Sequence, residues 1–268
     1  MICLPVSLSP YFPVLKNKPS RIPTMTACYL YAITQAPAPD FLTKVGLGLR
    51  DLPLQVVIHD QLAAVMSDWR SPLSNSSHMA AETDLWRHEQ VIEGIMAQGR
   101  TLPVRFGTTL ADVDCVHQLL MTRAADFTTD LAYVADRVEM GLRILWDPPV
   151  GPENLAAENS AGFTPGRQYL QQQILKRRQE QAIRAPAETF VAALNAILQP
   201  LFVDIRLQIL PTERLLLSAS YLVQQTLVDA FQAQVEELGT RYPSFAFLCS
   251  GPWPAYHFVR NAQPTGKL

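Results

Sequence analysis

Charge is scarce in this chain. Asp, Glu, Lys and Arg make up 17% of its 268 residues, against about 25% in ordinary soluble domains. A surface this poor in charge implies that part of it is covered by a partner or by another copy. The formal net charge is −2, so a basic field for nucleic acid is excluded. Cysteine is sparse too. Cys3, Cys28, Cys115 and Cys249 lie far apart and form no CxxC pair, which argues against a zinc site and against a disulfide framework. Free thiols in a reducing cytoplasm are the simplest reading. No apolar run approaches the roughly 20 residues that a bilayer-spanning helix needs. Signatures of catalysis are missing as well: the histidines show no HxH or HExxH spacing, and no G-x-S-x-G elbow surrounds Ser218 or Ser220.

What the chain does have is apolar residues (48%) and proline (21 residues). Residues 1–24 carry five prolines, and their positive charges follow the apolar part, the reverse of a secretory signal. Met25 is expected to be the working start, with 1–24 a disordered or non-native leader. Ala27–Ile33 reads as a buried strand, and Leu54–Ile58 with Leu62–Ser67 as two more around the turn at His59 and Asp60. A helix follows the polar loop Ser71–Ser77. Its apolar face is expected to be Ala81, Leu85, His88, Ile92 and Ile95, and Gly99 closes it. Leu102–Phe106 is extended, Asp112–Met121 and Phe127–Val134 are helical, and Arg137–Trp146 alternates as a half-exposed antiparallel strand.

The Pro- and Gly-rich stretch 148–166 reads as a linker. The expectation is an α+β chain of two domains. A ferredoxin-like N-terminal domain of antiparallel sheet and helices spans 25–147; a smaller α+β domain with a closing GPWP tail spans 167–268. The second domain is predicted to hold helices Gln168–Ala182 and Ala187–Leu198, then strand Phe202–Leu210, strand Leu215–Val223, helix Gln225–Leu238 and strand Ser244–Cys249. Val203, Ile205, Leu207 and Ile209 are expected to face inward.

Two stiff, apolar islands stand out. The first, LPVRFGT, contains Leu102, Pro103, Arg105, Phe106 and Gly107. Arg105 reads as the partner of Glu139 or Glu93, or as a holder of an anionic ligand; Gly107 reads as a turn. The second, GPWPAYHF, contains Gly251, Pro252, Trp253, Pro254, Tyr256 and Phe258. A proline-fixed backbone bearing large aromatics makes a low-entropy contact surface. It reads as a clasp on its own domain or as a surface for another protein, with Trp253, Tyr256 and Phe258 as contacts. His88, on the apolar side of its helix, reads as a hydrogen-bonded core histidine or, alternatively, as a haem ligand. Glu82, Asp84, Glu89 and Glu93 read as a solvated helix face with Arg87. The basic cluster Lys176–Arg178 reads as a solubilising patch.

The run WRHEQVIEGIMAQGRTLPVRFGTTL (Trp86–Leu110) resembles the signature of the gas vesicle protein F/L (GvpL/GvpF) family. YLYAI (Tyr29–Ile33), GRQYL (Gly166–Leu170), LSASYLV (Leu217–Val223) and GPWPAYHFV (Gly251–Val259) match it in type and order, so the resemblance covers nearly all of Ala27–Val259. The leader and Ala255, where many members carry a second proline, depart from the pattern. The resemblance implies a non-enzymatic structural protein or assembly factor without a cofactor or metal. It would sit at the gas vesicle within the cytoplasm. Its partners would be the main hydrophobic shell protein and other minor gas vesicle proteins, with no nucleic acid and no membrane. The alternative is a haem- or small-ligand-binding protein, or an enzyme, on a ferredoxin-like scaffold.

Overall fold

The computed structural model describes residues 27–38, 40–69, 78–146, 165–209 and 215–259. The expected leader, the loop Ser71–Ser77 and nearly all of 148–166 lie outside them. The protein is α+β, with two antiparallel sheets, and divides into two compact units.

The first unit begins with β1 (Ala27–Gln35), α1 (Phe41–Val45), and the hairpin β2 (Gln55–His59) and β3 (Leu62–Trp69). Helix α2 (His78–Met96) follows, then the short strands β4 (Thr101–Pro103) and β5 (Thr109–Leu110), and helices α3 (Val113–Thr122) and α4 (Ala124–Tyr133). The sheet order is β2-β3-β1-β4, with β5 also paired to β1. Every residue from Cys28 to Thr34 is buried. A strand buried on both faces must be covered on both, and reads as an unbroken apolar run. Tyr29, Tyr31, Val65 and Trp69 pack with Val91, Ile92 and Ile95 of α2. α3 and α4 also lie against the sheet, and bury Val116, Leu120, Phe127 and Leu131.

The stripe on α2 differs from the expected one. Leu85 is 41% exposed, whereas Asp84 and Val91 are buried beside His88, Ile92 and Ile95. Positions 84, 88, 91, 92 and 95 form the true helical face. Hydropathy alone ranks Leu85 above Asp84, but Asp84 is held inside by an ion pair with Arg50.

The second unit runs β6 (Arg137–Trp146), α5 (Pro165–Leu198), β7 (Asp204–Ile209), β8 (Leu215–Gln224), α6 (Val228–Arg241) and β9 (Phe245–Trp253). Its sheet order is β7-β8-β6-β9. Val138, Met140, Leu142 and Ile144 of β6 join Leu217, Ala219, Tyr221 and Val223 of β8 in one core. Ala187, Val191, Leu194 and Leu198 of α5 and Phe231, Val235 and Leu238 of α6 cover it.

This overturns the expected boundary at 148–166. β6 pairs with both β8 and β9, so it is an inner strand of the second sheet and cannot close the first domain. The division falls between Asp136 and Arg137, and residues from Pro254 onward belong to the first unit. Prolines and glycines mark a long connection from β6 to α5 inside the second unit. The real boundary is the short turn after α4, where Asp136 takes a left-handed φ of 57° without any glycine.

Three smaller corrections follow. The two expected helices are one, α5, which passes through Pro186. A proline inside a helix removes one hydrogen bond, but Gln-, Arg-, Glu- and Ala-rich sequence on both sides carries the helix on. Val203 lies before β7, and Leu207, though on the inner side, is largely exposed at that sheet edge. The last strand extends to Trp253, well past Cys249.

Candidate functional site

The sequence-predicted residues gather at two places. At the first, α2 carries His88 under β1, and the stretch after β4 passes its other side. The imidazole is fully buried, with Nε2 3.0 Å from the Val104 carbonyl oxygen and Nδ1 3.0 Å from the Tyr29 hydroxyl. A carbonyl only accepts, so Nε2 carries the proton and donates to it. Nδ1 then accepts from Tyr29. The Tyr29 oxygen in turn accepts from the Gly107 N–H at 3.0 Å. Gly107 sits at φ 85°, a turn conformation that suits glycine. Tyr31 stacks on the imidazole, and Tyr29 and Phe106 meet it edge-on. The chain of bonds therefore ties α2, β1, Val104 just after β4 and the turn at Gly107 together.

Burial is the main cause of a low His88 pKa, about 4 against an ordinary 6.5; the bond to the Val104 carbonyl opposes it. The unfolded imidazole takes up a proton near 6.5, and the folded one not until about 4. Within that window acid favours the unfolded chain. Stability is full above about pH 6.5 and is expected to fall by roughly 3 kcal/mol as pH drops toward 4. Glu89 opposes the trend in the lower part of the window, because burial raises its carboxyl pKa and it takes up its proton more readily when folded. Denaturant midpoints measured across this range test the prediction; an unchanged midpoint would contradict it.

This geometry does not favour the haem reading. Both ring nitrogens are engaged and the side chain is 0% exposed, so no lone pair is left for iron. Among the described residues no cluster of three or more His, Cys, Asp or Glu could hold a metal. No helix of the described residues is long and apolar enough to cross a membrane.

The LPVRFGT island is a packed corner. Leu102, Pro103 and Val104 are buried, and the carbonyl of Arg105 accepts from both the backbone N–H and the hydroxyl of Thr108. The Arg105 side chain is exposed and, among the described residues, forms no ion pair with Glu93. Glu139 lies in the second unit, buried in β6. Nor is Glu89 simply solvated: it is half-buried and accepts a 3.0 Å bond from the Tyr256 hydroxyl. The side chains of Lys176, Arg177 and Arg178 lie outside the description.

GPWPAYHF splits between the units. Gly251, Pro252 and Trp253 finish β9, with Trp253 beside Glu139 of β6 and 37% exposed. Gly251 has φ 109°, and a Cβ added there would stand 2.8 Å from the Glu139 carbonyl oxygen and 3.2 Å from Met140 Sδ. Both strain and a backbone clash oppose any side chain. Gly251→Ala is expected to cost about 2 kcal/mol, read as a lowered urea midpoint; a loss within experimental error would sink this account. Pro254, Ala255, Phe258 and Val259 are buried in the first unit, and Tyr256 packs on the core of Tyr29, Tyr31 and Ile92. The tail does not fold back on the second domain as expected; from Pro254 onward it belongs to the first unit. Phe258 is 0% exposed, so it belongs to the core and offers no contact surface.

Sequence reasoning missed one constellation. Arg50 and Asp51 both adopt left-handed φ, 53° and 58°. The Arg50 guanidinium lies 4.7 Å over the Trp69 ring and donates to buried Asp84 at 3.0 Å, while Asp51 accepts from Arg87 at 3.0 Å. Two non-glycine residues in that region carry no turn signature, so nothing in the sequence could have pointed to it.

The comparisons agree with the fold. The model of the family described as gas vesicle synthesis protein GvpL/GvpF matches residues 27–260. Gas vesicle protein F of Streptomyces sp. (strain CB03234) is 27% identical over 86% of this chain and 98% of its own length. Gas vesicle protein L1 of Halobacterium salinarum is 24% identical over 86% and 89%. The crystal structure of GvpF from Anabaena sp. PCC7120 superposes with a TM-score of 0.70, at 22% identity, covering 88% of this chain and 97% of that one. GvpF from Microcystis aeruginosa gives 0.68 at 18% identity, covering 88% and 99%. With the family model spanning both sheets and the closing tail, this chain belongs to the GvpL/GvpF family of gas vesicle synthesis proteins.

Proposed function

We propose that this chain is a non-enzymatic structural or assembly protein of the gas vesicle, acting within the cytoplasm. It would bind the main hydrophobic shell protein, and other minor gas vesicle proteins, and so support vesicle formation. The observation that carries the reading is family membership across residues 27–260, with relatives named gas vesicle proteins F and L. The chemistry of the site is in keeping with it. The polar groups of the His88 cluster are spent on one another, which suits a scaffold better than a reaction centre. We also read each unit as ferredoxin-like. Both run strand-helix-strand-strand-helix-strand through their sheets, in orders β2-β3-β1-β4 and β7-β8-β6-β9, which is the split βαβ arrangement.

Of the three expected contact residues, Trp253 remains the best placed, since it is the most exposed, at 37%. Tryptophan is favoured at the centre of protein interfaces, where truncation costs 2 kcal/mol or more, roughly thirtyfold in affinity. Pull-down of purified shell protein is expected to succeed with the wild type and to fall at least about tenfold with Trp253→Ala, with folding checked by circular dichroism. No retention by the wild type would refute shell binding. Equal retention by both chains would move the contact elsewhere. Proteomics of washed vesicles tests the location.

A further inference from the structure

The two edges of the second sheet are unlike. β7, at one edge, carries Asp204 and Arg206, ion-paired at 2.9 Å. Charge on an edge strand is a common defence against pairing with a stray strand. β9, at the other edge, reads FAFLCSGPW: nine residues without a charge. Among the described residues it has a neighbour, β6, on one side only. Alternate N–H and C=O groups along its outer side therefore point away from the sheet. Ala246, Leu248, Cys249 and Ser250 are all exposed, and Leu248 is 50% open to solvent. A long, uncharged, open edge is a template for another strand.

We infer that β9 pairs antiparallel with β9 of a second copy of this chain, joining two four-stranded sheets into one of eight. Three features single out a copy as the occupant. A charge at the two-fold axis would meet its own like, and β9 carries none there or elsewhere. Antiparallel pairing continues the alternation of β7, β8, β6 and β9. The strand is also nearly self-complementary about Leu248. With Leu248 opposite its counterpart, Ala246 faces Ser250 on the same face, so small residues flank Leu248 there, and on the other face Phe247 meets Cys249. The pairing then spans Phe245 to Gly251, roughly 24 Å, and stops before Pro252, which has no N–H to give. The low overall charge, 17% of residues, leaves little long-range repulsion between copies.

The full-length chain is expected to sediment as a dimer whose population rises with concentration. Leu248→Lys sets two ammonium groups opposite each other, and Ala246→Lys lines the same edge. Each is expected to raise the dimer dissociation constant at least about tenfold, with the circular dichroism spectrum unchanged because both sites are exposed. Gln208→Lys, on the β7 edge, should leave it unchanged. Hydrogen exchange on the wild type gives a second readout that needs no substitution: outward β9 amides should slow at high concentration while β7 amides do not. A wild type that stays monomeric overturns the proposal. So does a dimer that survives both β9 lysines, or β9 amides whose exchange ignores concentration.

Discussion

Replacing His88 by alanine is expected to destabilise the chain by about 4 kcal/mol. Two losses combine. A fully buried ring is removed and leaves a cavity among Tyr29, Tyr31 and Phe106, the kind of truncation that costs 2–5 kcal/mol, about that of other large core side chains. The Val104 carbonyl and the Tyr29 hydroxyl also lose their imidazole partner, and buried groups left unmatched cost about 1–3 kcal/mol more, partly overlapping the first term. Urea unfolding checks the size. A double-mutant cycle checks the cause: Tyr29→Phe and His88→Ala share one bond, so the pair should be less than additive, by about 1 kcal/mol. If His88→Ala leaves stability intact, the cluster is not what holds α2 to the sheet.

Phe258→Ala is expected to cost about 3–5 kcal/mol, the range for a buried phenylalanine. Its ring is among the largest fully buried side chains of the described residues, although it sits on a turn outside any helix or strand. The contrast with Trp253→Ala is the informative part. Two aromatics five residues apart should divide cleanly. One should move the unfolding midpoint and leave shell-protein retention per folded molecule alone, and the other should do the reverse. Equal, small shifts in midpoint for both would mean that the tail is not docked as described.

Much of the strand pattern was legible in the sequence. Arg137–Trp146 and Leu62–Ser67 announce themselves because burial on a sheet follows period two, or an unbroken apolar run when both faces are covered. His88 was legible as a core histidine from its helix face. Its partners were not, since Tyr29 lies 59 residues away and the Val104 carbonyl is backbone that any sequence supplies. The unit boundary was misplaced because proline and glycine mark where a chain bends, not which sheet its strands join. Only the pairing of β6 with β8 and β9 decides that. The destination of GPWPAYHF was hidden for the same reason. Its prolines and aromatics announce a stiff segment, but could not say that Tyr256 would pack on Tyr29 and Ile92.

The return of the tail to the first unit bears on how the molecule is made. Residues up to Asp136 emerge from the ribosome long before Pro254 and Phe258 do, yet the core they build is closed by those late residues. Domains ordinarily fold in order of synthesis, amino end first. Here the first-made half must wait, incompletely sealed, until the last-made segment arrives. A nascent chain halted part-way through the second unit would therefore hold two unfinished parts in place of one finished and one missing, a ready mark for cellular quality control.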